Sequence, residues 1–133
     1  MTTPTGGPAT ATLKMTSFDC RDPRAAAAFW AALLGWQVAV AEDEYAMVVP
    51  GVEEPVGAAL GFGRVADHEP AAWPDEGGRK QVHLDLACGD MEATEHRALE
   101  LGAEVVTPQP GETWRVLRAP GGLLLCLTDV GRW

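Results

Sequence analysis

Basic residues are scarce in this 133-residue chain: ten Lys and Arg stand against nineteen Asp and Glu, for a formal charge of -9 and a pI near 4.6. A protein that binds the phosphate backbone must carry enough positive charge to displace its counterions, so nucleic acid and anionic membrane are excluded as partners. No run approaches the roughly 18 consecutive apolar residues of a membrane-spanning helix. The opening "MTTPTGGPATAT" has neither the basic start nor the apolar run of a secretory signal, and residues 1–12 are expected to form a flexible tail. Three cysteines (Cys20, Cys88, Cys126), odd in number and without CxxC spacing, argue against a disulfide framework or a structural zinc site. A reducing cytoplasm is the expected location. There is no P-loop and no GxGxxG, and "GFG" at 61–63 is too short to cradle a phosphate.

What the chain does have is apolar content, 47% of its residues, enough for one domain with a substantial core. It also has an internal repeat. "MTSFDCRDPRAAAAFWAALLGWQVA" from Met15 and "HLDLACGDMEATEHRALELGAEVV" from His83 follow one grammar, with Cys88 and Asp90 each 68 residues after Cys20 and Asp22. A short alternating strand leads to an Asp at a helix N-cap, a helix of about three turns follows, and Gly35 or Gly102 stops it. Pro23 suits the first helical position, where its missing N–H costs nothing. Further strand-like runs follow each helix: "WQVAVA", "YAMVVP" and "VGAALGFGRV", then "AEVVTP", "TWRVLRA" and "LLLCLTDV". The expected organisation is one α+β domain of two βαβββ modules, residues 13–65 and 81–133. They are joined by a polar, Pro- and Gly-rich linker at 66–80, "ADHEPAAWPDEGGRK".

Strand parity divides each first strand into two faces. Val82, Leu84 and Leu86 should cover the helix, while His83 and Asp85 point to the concave side; by the repeat, Met15, Ser17 and Asp19 do the same in the first module. In the last strand Leu124, Cys126 and Thr128 share a face. In "VGAALGFGRV" one face carries only Ala59, Gly61 and Gly63, which leaves room for something to approach.

Two such units, with "DCRDPRAAAAFWAALLGW" in the first and "VHLDLACGDMEA…LGAEVV…PGG" in the second, resemble the vicinal oxygen chelate superfamily of glyoxalases, bleomycin-resistance proteins and extradiol dioxygenases. "FWAALLGW" and "HLDL" look most like its glyoxalase-like bacterial branch. The resemblance implies a cupped mixed sheet with helices on its outer face, a small-molecule ligand and a homodimer. Metal-dependent members take one His or Glu from the first and last strand of each module. Those positions here hold Met15, a residue near Gly63, His83 and Cys126, a poor divalent-metal set. No cofactor is therefore expected; if a divalent metal binds, His83 and Cys126 are its ligands.

The candidate ligand-binding residues are accordingly Met15, Ser17, Gly61, Gly63, His83, Asp85, Trp114 and Cys126. His83 and Asp85 are also the catalytic candidates, as a general-base pair on one strand face. Alternatively they only line a polar cup, or Asp85 pairs with an arginine such as Arg115. Cys126 is either a nucleophile or a small filler, whereas Cys20 and Cys88 are in phase with the core. Trp30 reads as core, and Trp36, Trp73 and Trp114 as possible walls of a cavity. The function expected is a metal-free, glyoxalase-like binding protein that sequesters a natural product or toxic aromatic compound. The alternative is an enzyme of lyase, isomerase or dioxygenase type that uses His83 as base or as metal ligand.

Overall fold

A computed structural model describes residues 13–51, 58–70, 73 and 82–132. The expected N-terminal tail and most of the linker lie outside them. Within them the chain is α+β and built of two βαβββ modules, each a four-stranded mixed sheet with one helix. The first comprises β1 (Met15–Cys20), α1 (Pro23–Leu34), β2 (Gln37–Ala41), β3 (Tyr45–Val49) and β4 (Ala59–Arg64). The second comprises β5 (His83–Cys88), α2 (Met91–Glu100), β6 (Glu104–Val105), β7 (Trp114–Arg118) and β8 (Leu124–Asp129). The strand orders are β1-β4-β3-β2 and β5-β8-β7-β6, with the first and last strand of each module parallel and the rest antiparallel.

Both helices begin as the sequence predicts. The carboxylates of Asp22 and Asp90 accept the backbone N–H of Ala25 and Ala93 at 3.2 and 3.0 Å, satisfying donors that the first helical turn leaves without partners. Pro23 opens α1, and Gly35 closes it in a left-handed conformation (φ 70°), with the Trp36 N–H returning to the Ala31 carbonyl. One main core joins the modules: Phe29, Trp30, Ala46, Val48 and Phe62 from the first are continuous with Ala98, Leu117, Leu125 and Leu127 from the second. Cys20 and Cys88 are buried in it, and Trp36 packs against it.

Two expectations need correction. The run "AEVVTP" yields only a two-residue strand. Beyond Val105 one long backbone bond remains, from the Val106 N–H to the Val116 carbonyl at 3.4 Å. The side chain of Gln109 supplements it, donating to the carbonyls of Val106 and Val116 (2.8 Å each) and accepting the Val116 N–H at 2.9 Å. Pairing of Arg115 with Asp85 does not occur either. Arg115 leaves the opposite face of its sheet and meets Glu95 of α2 at 2.7 Å.

Candidate functional site

Because β5 and β8 run parallel with His83 opposite Leu124 and Asp85 opposite Cys126, side chains at these positions rise from the same face. Antiparallel pairing of β7 adds Trp114 opposite Thr128 and Val116 opposite Cys126. The outcome is a recess of about 310 Å³ lined by His83, Asp85, Thr113, Trp114, Cys126, Thr128 and Arg132. Its floor continues into a second apolar cluster, Val106, Val116 and Leu124, against which Trp73 and Cys126 pack.

Chemically the recess is polar at one end and aromatic at the other. His83 Nε2 lies 3.3 Å from Asp85 Oδ1, and both side chains are partly exposed. The Thr128 hydroxyl donates to the Leu86 carbonyl at 2.9 Å, turning that side chain back onto β5. The Trp114 indole is 37% exposed and lies over Gly111, where a Cβ would come within 2.5 Å of the ring. A side chain at position 111 would have to displace that indole. One nitrogen of His83, one carboxylate oxygen of Asp85 and Cys126 Sγ lie within 4.8 Å of one another, so these three could hold a metal ion.

Of the eight ligand-binding candidates, the structure brings His83, Asp85, Trp114 and Cys126 into this recess. Met15, Ser17, Gly61 and Gly63 lie together on the other sheet and do not line it. There the room beneath Gly61 is taken up by its neighbours, since a Cβ would meet Ser17 Oγ at 2.7 Å and Met15 Sδ at 2.9 Å. Met15 is held in turn by the Tyr45 hydroxyl, which donates to its sulfur at 3.2 Å. Register also fixes the position expected near Gly63: Ser17 faces Gly61 as Asp85 faces Cys126, so Gly61 is the counterpart of Cys126.

Thr113 and Arg132 carried no signal as contributors to this face, whereas Trp73 was among the tryptophans expected to border a cavity. Thr113 and Arg132 sit just outside the strands that shape the recess. Trp73 comes from the linker and donates its indole N–H to the Pro108 carbonyl at 2.8 Å. Trp133 lies outside the described residues.

Among solved structures, a glyoxalase/bleomycin resistance protein/dioxygenase family enzyme from Burkholderia phytofirmans PsJN is 16% identical with a TM-score of 0.61, covering 90% of this chain and 99% of its own. A possible glyoxalase from Bacillus cereus is 17% identical with a TM-score of 0.62, over 88% and 97%. The bleomycin resistance determinant encoded on the transposon Tn5 is 18% identical with a TM-score of 0.55, over 90% and 98%. No curated protein matches. Identities this low establish the shared fold and leave ligand and chemistry open. The model of the glyoxalase-like domain matches residues 15–128, from the first residue of β1 to the penultimate residue of β8, and the chain belongs to that family.

Proposed function

We propose that the protein is a binding protein for a small planar organic molecule, held in the second-module recess without a metal and sequestered in the cytoplasm. The observation that carries this reading is the recess itself. Its volume falls at the lower end of the roughly 300–1,000 Å³ usual for ligand pockets, and a partly exposed indole faces a few convergent polar groups. Trp114 supplies a stacking wall, Val116 and Leu124 extend an apolar floor, and His83, Asp85, Thr113 and Arg132 offer orienting hydrogen bonds. The likeness to a bleomycin resistance determinant supports sequestration as the purpose. We further propose that the protein is a homodimer, which sedimentation equilibrium tests directly. A panel of planar natural products, bleomycin included, titrated against tryptophan fluorescence tests the binding reading. Saturable quenching, lost in Trp114→Ala and without turnover, supports it; no saturation across the panel sinks it.

A second reading is favoured by the donor geometry. Nitrogen, oxygen and sulfur donors from His83, Asp85 and Cys126 form a set suited to zinc, and three protein ligands leave a position open for substrate. Zinc held there would act as a Lewis acid on a substrate oxygen, making the protein an enzyme of lyase or isomerase type. Elemental analysis after incubation with zinc separates the two readings. One zinc per chain, lost in His83→Ala, favours the enzyme; none favours the metal-free binder.

A further inference from the structure

The larger of the two described cavities, about 540 Å³, lies where the modules meet, away from the His83 recess. It is bounded by the start of α1, by the first residues of the linker at His68 and Pro70, and by the turn between β7 and β8. Two guanidinium groups line it, Arg21 from the β1–α1 connection and Arg118 from the end of β7.

Three of the described arginines stand apart in their ion pairing, Arg21, Arg118 and Arg132, and the first two share this cavity while Arg132 lines the His83 recess. Among the described residues Arg24 meets Asp43, Arg64 meets Glu44, Arg97 meets Glu100 and Arg115 meets Glu95. In a chain with almost twice as many acidic as basic residues, pairing is what an arginine is expected to find. Arg21 and Arg118 form no ion pair among the described residues, although Asp22 and Glu104 line the same cavity. The Asp22 carboxylate is committed to the Ala25 N–H as the α1 cap. Arg21 uses its Nε to reach the His68 carbonyl at 2.6 Å, which fixes the side chain and leaves its terminal nitrogens uncommitted. Arg118 is the more unusual: its Nε is buried and has no hydrogen-bond partner. A buried donor on a charged group is costly to leave unmatched, and a molecule in the cavity would meet the atoms of Arg118 that line it rather than this shielded Nε.

The rest of the wall is apolar or bare backbone: Ala25, Ala26, Ala119 and Pro120, with Gly121 and Gly122 in positive-φ conformations. The cavity is several times the size of a simple oxyanion. We infer that this junction is a second ligand site, which takes a small organic acid. Its carboxylate lies between Arg118 and Arg21, and its apolar body packs against the alanines and Pro120. Planar guanidinium donors match a carboxylate in bidentate fashion, and the N-terminal end of α1 adds favourable potential.

The test uses the full chain with benzoate as probe, acetate and inorganic phosphate as comparisons, and chloride at matched ionic strength as control. Amide NMR shifts are followed during titration. Benzoate should shift Ala25, Ala26, Gly121 and Gly122 saturably while leaving Asp85 and Thr128 unmoved. Acetate, lacking the apolar body, and phosphate, lacking it as well, should each bind at least tenfold more weakly. Arg118→Met should lose at least tenfold in benzoate affinity, yet melt at the same temperature as the parent or higher, because it removes an unmatched buried donor. A shift no larger than that of chloride, a shift confined to the recess, phosphate binding equal to benzoate, or unchanged affinity in Arg118→Met would each overturn the assignment. A large fall in melting temperature for Arg118→Met would overturn it too, since Arg118 would then serve the fold.

Discussion

Position 30 in α1 and position 98 in α2 stand at the same point of the repeat, eight residues past each capping aspartate, and both are wholly buried. The first is tryptophan and the second alanine. The contrast extends along the helices: α1 buries Pro23, Ala26, Ala27, Phe29, Trp30 and Ala31, whereas α2 buries only Ala98. The first module therefore concentrates its apolar contacts on the helix side. The second divides its own between the helix side and a concave cluster of Val106, Val116 and Leu124. On the concave faces the polarity is reversed. Met15 and Ser17 close over Gly61 in the first sheet, while their counterparts His83 and Asp85 stand open beside Cys126 in the second. One backbone plan thus closes its concave face in one copy and leaves an open recess in the other.

The largest effect should come from breaking the core-rich copy. Trp30→Ala leaves a cavity where the indole packs edge-on against Phe29, 5.2 Å between ring centres, and should cost about 3–5 kcal/mol. Urea denaturation measures this. A cost below about 1.5 kcal/mol would mean that the first module is not the stable partner. Enlarging the equivalent site by Ala98→Leu should cost less, about 1–3 kcal/mol, through overpacking.

Next in size is Gln109, which has no equivalent in the first module because β2 there runs five residues without help. Gln109→Ala leaves the Val116 N–H and the Val106 carbonyl without the side-chain partner they have now, and the Val116 carbonyl with its long backbone bond, for a loss of about 2 kcal/mol. Amide exchange should then accelerate at Val116 while β2 and β3 keep their protection. Acceleration in both modules alike would show that the two fold and open as one unit.

These two residues also mark what could be read in advance. The caps at Asp22 and Asp90, the helix stop at Gly35 and the side of each strand that faces a helix follow from local chemistry and periodicity, and all of them are visible in the sequence. Gln109 was not, because its partners, three and seven residues away, are set by a loop conformation that leaves no periodic signal. Nor were the partners of Trp73, which reaches the second sheet from the linker, or of Arg115, whose partner on α2 lies twenty residues away. The Gly61 register could not be placed either. A parallel pair joined through a long crossover has no turn to set it, and the bulge between Val38 and Val40 shifts the intervening ladder.

Ligand binding sharpens the comparison at the level of the site. His83→Ala and Trp114→Ala should each weaken binding about tenfold, near 1.4 kcal/mol, whereas Met15→Ala and Ser17→Ala should change it less than twofold. Calorimetric titration with whichever planar ligand the fluorescence panel identifies decides this. Equal losses from both sheets would show that the two concave faces enclose one ligand together, as an exchange of modules between two chains would allow.

The smallest effect separates the modules by pH. Burial pushes the Cys20 thiol above its ordinary value near 9; a hydrogen bond from the Asp22 backbone opposes it, and the Asp22 and Asp19 charges add smaller upward contributions. The neutral thiol is thus favoured in the folded chain. Below the unfolded thiol's pKa neither state ionises and the full stability is present. Above it the unfolded chain gives up a proton that the folded chain retains, so stability falls as pH rises toward the folded value. Cys20→Ala should remove part of that alkaline loss at a cost of about 1 kcal/mol or less near neutral pH, because alanine nearly fills the same space. Urea midpoints at pH 7 and pH 10 check it. An alkaline loss of the same size in the variant would place its origin outside the first module's core.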